Sequence, residues 1–242
     1  MKLVFLGTRG YVDVRTRRHH NHSALEVRYR GRRVLIDCGE DWLGRLERLR
    51  PHAVVLTHSH PDHAFGLRNG APGPVYATRD TWRSLERFPI ADRHRIDLRR
   101  PRPIESLIFE AFGVEHSVRA PAVGYRITAG SVVIFYAPDL VYIREPAMAL
   151  RNAKLYIGDG ATLTRPLIRR RGKHLIGHTP VRTQLSWCQR AGVPRMIITH
   201  CGTQIVERDG SQLRSEIRRM GQERGVQAEI AFDGLEVQLR SR

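Results

Sequence analysis

Apolar and polar positions along this chain follow two rhythms, and their succession predicts an α/β protein. Apolar or alternating runs mark strands at 2–6, 24–29, 33–37 and 53–56. Asp80-Thr81 opens a helix expected to run through Arg87 and to stop before Pro89, since the residue ahead of a proline disfavours helical geometry. Further strands are predicted near 107–112, 123–128 and 131–136, the last two joined at Ala129-Gly130. A helix near 144–151 and a strand at 154–158 come next. Thr179-Pro180 starts a helix reaching about Ala191, with Pro at the first helical position, and a strand runs from Val193 to Thr199. An amphipathic helix over 211–224 precedes strands at 227–230 and 235–239, expected to close the chain as a hairpin around Asp233-Gly234. No repeat, low-complexity tract or linker interrupts this order, so residues 1–242 are expected to form one domain.

One stretch stands out chemically. Thr57-His58-Ser59-His60-Pro61-Asp62-His63 follows the apolar run Ala53-Val54-Val55-Leu56, and four potential metal ligands fall within six residues. Imidazoles and carboxylates suit borderline divalent metals, and a loop leaving a buried strand can aim several at one point. Two His separated by one residue point the same way if locally extended, so His58 and His60 can face one ion. Asp62 and His63 lie past the turn, placed for a second ion.

Composition narrows the class without naming the chemistry. With 41% hydrophobic and 27% charged residues, the chain has what a soluble α/β domain needs, and no apolar run reaches the length of a membrane span. The N-terminus reads as a strand rather than a signal peptide, which makes a cytoplasmic location the expectation. Cys38, Cys188 and Cys201 are too scattered for a disulfide framework, and Cys38 and Cys201 read as small buried filler. The formal charge of +17 favours an anionic partner. Only Lys2, Lys154 and Lys173 are lysines, so GC-rich codons account for part of the arginine excess. Runs such as Arg15-Thr16-Arg17-Arg18, Arg99-Arg100-Pro101-Arg102 and Arg169-Arg170-Arg171 read as solvated faces.

The His-x-His-x-Asp-His stretch resembles the signature of the metallo-β-lactamase fold superfamily, and within it the ribonuclease Z group and related phosphodiesterases. The likeness runs through Leu3-Val4-Phe5-Leu6-Gly7-Thr8, Val34-Leu35-Ile36-Asp37-Cys38-Gly39-Glu40, Glu115-His116-Ser117, Ala137-Pro138-Asp139, Gly177-His178-Thr179 and Ile197-Ile198-Thr199-His200, each in the family's order. The resemblance implies an α/β four-layer αββα sandwich. It also implies two divalent metal ions, zinc by donor type, with manganese and iron admissible. His58, His60 and His116 would hold one ion, Asp62, His63 and His200 the other, and Asp139 would bridge them. Spacing alone does not join His116, Asp139 or His200 to the first cluster.

By the same resemblance the chain is a metal-dependent phosphoric diester hydrolase acting through a hydroxide shared by the ions, which Asp62 could help to aim. His178 would protonate the leaving alkoxide, and Asp159 falls where the family places a Glu that orients this histidine. Pro138 stands where the group usually has Gly. Asp37 is expected behind the ligands, fixing a histidine or the loop, and Glu40 at a helix start. His19-His20-Asn21-His22-Ser23 lies where the family has a loop near the site and reads here as a polar loop. Ribonuclease Z enzymes that process tRNA carry a long arm between the positions of His116 and Asp139, where this chain has only the 22 residues 117–138. The expected substrate is therefore a small nucleotide-like or cyclic phosphodiester. An RNA-processing endonuclease, for which nucleic acid would be the partner, and a thioester hydrolase or iron oxygenase on the same scaffold are the alternatives. The resemblance further implies a homodimer.

Overall fold

Period-two alternation decides the architecture, because each central strand sends successive side chains to opposite faces. In β10 (Val132–Ala137), Val132, Ile134 and Tyr136 enter one core while Phe135 and Ala137 enter another. The computed structural model describes residues 1–240. It contains β1 (Lys2–Gly7), β2 (Ala24–Tyr29), β3 (Arg32–Ile36), β4 (Ala53–Val55), β5 (Val75–Ala77) and β6 (Arg93–Arg95) in one sheet. The second sheet holds β7 (Arg102–Ile104), β8 (Leu107–Glu115), β9 (Ala122–Ala129), β10, β11 (Tyr142–Ile143) and β12 (Leu155–Asp159). After the separate hairpin β13 (Leu167–Arg171) and β14 (His174–His178), β15 (Arg195–Thr199) and β16 (Gln227–Ile230) extend the second sheet. β17 (Leu235–Gln238) returns to the first, beside β1.

Three apolar clusters hold four layers together. Leu3, Phe5, Val27, Tyr125, Ile134 and Ile157 pack between the sheets. Tyr156, Ile198 and Phe135 meet the helices Val181–Ala191 and Ser211–Gln222 through Leu185 and Ile217. Leu35 and Val54 meet Trp42, Ala64 and Leu67 on the other outer face. This is the expected αββα sandwich. Each fully buried Leu, Ile or Phe contributes about 1.5–3 kcal/mol, whereas isolated helices under about 12 residues are marginal. Packing therefore sustains the four-residue helix Pro61–Ala64, which propensity could not.

The structure corrects several expectations. β16 and β17 are not a hairpin: β16 lies parallel to β15 in the second sheet, and β17 is antiparallel to β1 in the first. Asp233 is a cross-link rather than a turn residue, accepting from Thr8 N at 3.0 Å, Thr8 Oγ1 at 2.7 Å and Asn21 N at 2.8 Å. The β9–β10 turn is Gly130-Ser131, since Ala129 pairs with Val132. Thr78 caps a helix over Arg79–Ser84, shorter than the one expected to reach Arg87, and Pro180 caps its helix rather than entering it. Glu40 does open a helical turn, Glu40–Trp42 of 3-10 type. The β13–β14 hairpin went unpredicted because all five β13 residues are exposed and carry no alternation.

Candidate metal centre

Strand direction places the chemistry at one edge of the molecule. β3 and β4 are parallel, as are β10, β12 and β15. Asp159 ends β12, and the carboxyl ends of the others are followed by Asp37, the Thr57–His63 segment, Asp139 and His200. β8, two antiparallel steps from β10, delivers His116 beside them. Asp37 and His200 adopt positive φ, +59° and +51°, which is uncommon for residues with a side chain. At Gly39 a Cβ would lie 2.3 Å from the Asp62 carbonyl oxygen, so glycine lets the loop after β3 press against the Asp62 turn.

The side chains converge in three overlapping groups. His58, His60, His116 and Asp139 offer donor atoms all within 4.8 Å of one another, as do Asp62, His63 and His200, and also Asp139, Asp159, His178 and His200. His60 Nδ1 lies 3.0 Å from His58 Nε2 and 3.1 Å from His116 Nε2, so three imidazole nitrogens crowd one point. Asp62 Oδ2 is 3.0 Å from His200 Nε2 and 3.4 Å from His63 Nε2. Asp139 Oδ2 lies 3.5 Å from His58 Nε2 and 3.6 Å from His200 Nε2, between the two sets.

Burial tests whether a cation fits. His63 Nε2 and Asp139 Oδ1 are buried without hydrogen-bond partners. Asp139 Oδ1 approaches His116 Nδ1 at 2.9 Å and His178 Nδ1 at 3.0 Å, but neither contact has hydrogen-bonding geometry. Buried polar atoms left so are costly, and a divalent ion would satisfy them. Burial, reinforced by His63, holds His58 well below the ordinary histidine value, and burial with His116 brings His60 to about 4. Both are therefore neutral imidazoles at pH 7, the form that binds metal. Burial would lower His63 and His200 as well, but Asp62 and Asp37 raise the first to about 10 and Asp139 raises the second, so each would release a proton to an ion. Burial would raise Asp62 and Asp139, but neighbouring histidines outweigh it and keep both carboxylates ionised. The donor set fits a pair of divalent ions.

Behind the candidate ligands lies a supporting layer. Asp37 Oδ2 is 2.9 Å from His63 Nδ1, and Oδ1 accepts from Thr57 N at 2.8 Å. Thr57 Oγ1 in turn lies 3.0 Å from His58 Nδ1. His178 Nδ1 is 2.8 Å from Asp159 Oδ2, which also accepts from Leu140 N at 3.1 Å. Burial pulls His178 down, but Asp159 and Asp139 raise it to about 10.

Sequence reasoning missed Gln184. Its Nε2 donates to the Asp159 carbonyl at 2.7 Å, and its Oε1 accepts from Asp159 N at 2.9 Å and Tyr156 OH at 2.8 Å. A polar residue on the apolar face of a predicted helix was the available signal. The His19–Ser23 segment is not a solvated polar loop: His19, His22 and Ser23 are buried, and His19 bridges Thr8 Oγ1 at 2.8 Å and Asp209 Oδ2 at 3.1 Å. Cys38 and Cys201 are buried, and burial pushes both thiols up.

Two faced sheets with helices outside and a His/Asp cluster at the strand ends define a metallo-β-lactamase fold. Residues 32–201 match the family model of the beta-lactamase superfamily domain, and the chain belongs to that family. A ribonuclease Z of Methanopyrus kandleri is 32% identical over 185 residues, 67% of this chain and 62% of the relative, so the match spans under two thirds of that protein. Among solved structures, the metallo-beta-lactamase fold protein YhfI from Bacillus subtilis has a TM-score of 0.73 at 19% identity, with 98% of each chain covered. The short form of human tRNase Z has a TM-score of 0.68 at 18% identity, covering 100% of both chains. Among the described residues, no helix is long and apolar enough to cross a membrane.

Proposed function

We propose that this chain is a metal-dependent phosphodiester hydrolase. Two divalent ions, zinc by the predominance of imidazole donors, would sit at the His58/His60/His116 and Asp62/His63/His200 groups with Asp139 between them. Such ions lower the pKa of water and offset charge growing on a phosphoryl oxygen. Asp62, ionised and buried, is placed to accept a hydrogen bond from the attacking water and orient it. His178 carries the phosphodiester reading. Its Nδ1 is held by Asp159, whose carboxylate favours the protonated imidazole, and its Nε2 has no hydrogen-bond partner among the described residues. It can therefore pass a proton to a departing alkoxide. The similarity to ribonuclease Z supports the same chemistry. The cleft beside His178, about 770 Å³, suits a nucleotide-sized diester. The core shared between the two sheets supports reading the chain as one domain.

Hydrolysis of bis(p-nitrophenyl) phosphate and of a dinucleoside monophosphate, with zinc and with manganese, tests this. Nitrophenolate needs little help to leave, whereas a sugar alkoxide must be protonated. His178→Ala should therefore slow the dinucleotide by about 10²–10⁴-fold and the nitrophenyl ester far less. Equal losses on both substrates would remove His178 as the acid. No turnover of either with either metal would overturn the hydrolase reading.

A further inference from the structure

The centre opens on a second hollow, about 620 Å³, running beneath the β13–β14 hairpin from His60 and His116 to Arg169. The antiparallel register pairs Leu167 with His178, Arg169 with Ile176 and Arg171 with His174. Residues two apart on a strand, and those directly opposite, share a face. Leu167, Ile176, Arg169 and Arg171 therefore lie on the face that carries His178. At about 3.4 Å per residue, Arg169 stands about 7 Å and Arg171 about 14 Å outward from the level of His178. The surface is graded along that line: apolar beside the metals, cationic towards the tip.

The tip's charge is not neutralised internally. Arg169, Arg170, Arg171 and Lys173 have no carboxylate partner among the described residues. Asp139 and Asp159 reach the hairpin only at His178, its base; towards the tip the one acid in reach among the described residues is Glu115, 3.6 Å from His174 and already held by Arg144 at 2.8 Å. Leu167 and Ile168 are 53% and 38% exposed, although each could have been buried or polar. A merely solvated turn needs neither the apolar base nor the shared face.

We propose that the hollow under this hairpin is a leaving-group subsite for a nucleotide. Leu167 and Ile176 flank the departing nucleoside, and Arg169 with Arg171 takes a phosphate beyond the scissile one. Resting on the hydrolase reading, this narrows the substrate to acyclic phosphodiesters whose leaving alcohol is itself a nucleotide.

The test compares kcat/KM for a dinucleoside monophosphate with that for the same compound bearing a terminal phosphate on the leaving nucleoside. Wild type should prefer the phosphorylated compound by about 10–100-fold, the value of one or two charge-assisted hydrogen bonds. Arg169→Glu/Arg171→Glu should bring that ratio to about one, while Arg218→Glu/Arg219→Glu, an equal charge change on the Ser211–Gln222 helix that packs on β16, should keep it. A wild type without preference, or a hairpin variant that keeps it, overturns the proposal. So would a remote variant that loses it equally, since net charge would then be the cause. If nothing is hydrolysed the hydrolase reading fails separately. Titration of a fluorescent phosphorylated dinucleotide then decides the subsite: weaker binding only in the hairpin variant supports it, and equal binding by all three proteins overturns it.

Discussion

Replacing Asp37 by Asn changes one atom and should disable a ligand it never replaces. The carboxylate is fully buried and accepts on both oxygens: Oδ1 from the Thr57 backbone N–H at 2.8 Å, Oδ2 from His63 Nδ1 at 2.9 Å. The Thr57 N–H cannot turn away, so an Asn must keep its carbonyl oxygen there and present its NH2 to His63. Two donors then meet. The imidazole relieves the clash by moving its proton to Nε2, the atom next to Asp62 that would otherwise bind metal. Losing the charge-assisted bond to His63 costs about 1.5–3 kcal/mol. Partners that orient metal-bound histidines are worth about 10–100-fold in affinity, or about 1.4–2.8 kcal/mol, so the two estimates agree. Zinc titration against a competing chelator should show one of two sites weakened by that factor. The site built on His58, His60 and His116 should change less. Melting the metal-free protein separates affinity from folding, since about 1 kcal/mol moves Tm by about 2–4 °C in a chain this size. An Asn variant that binds both equivalents as tightly as wild type would show that Asp37 does not set the His63 tautomer.

Other perturbations reach the remaining parts of the site. Gly177 has φ +116°, and a Cβ there would lie 1.9 Å from the Leu167 carbonyl oxygen. Gly177→Ala should cost at least about 1–3 kcal/mol and displace His178, seen as a lowered Tm with the dinucleotide slowed more than the nitrophenyl ester; an unchanged Tm would contradict the geometry. Gln184→Ala leaves Asp159 N and Tyr156 OH unsatisfied, at about 1–3 kcal/mol each, and should narrow the gap between the two substrates if Gln184 positions Asp159. His19 is lowered below 6.5, first by burial and against the pull of Asp209. Its folded form binds fewer protons than the unfolded one, so its contribution is intact above about pH 6.5 and lost as pH falls below it. His19→Gln should flatten the fall of Tm with pH in that window; parallel curves would exclude His19 as its source.

How much could be read in advance varies with distance along the chain. The His58–His63 cluster was legible because its donors sit within one loop behind a buried run. Most strands of the two sheets were legible because alternation survives wherever one face meets a core. β5 and β6 were not, and neither was β13, exposed throughout. Strand partners were also hidden: 235–239 reads as a strand, but nothing local says that it pairs with β1 rather than β16.

The sequence by itself therefore determined most of the element types, one loop rich in potential metal ligands and, through resemblance, which distant residues to expect beside it. Tertiary structure alone decided their meeting. His116 reaches His60 across 56 residues and His200 reaches Asp62 across 138, because parallel strands from both sheets end at the same edge. It also decided that Arg169 and Arg171 share a face with His178, a fact of register between two strands. Periodicity records which way a side chain points relative to its neighbours; which distant side chains it then meets depends on sheet order, fixed only when the cores pack.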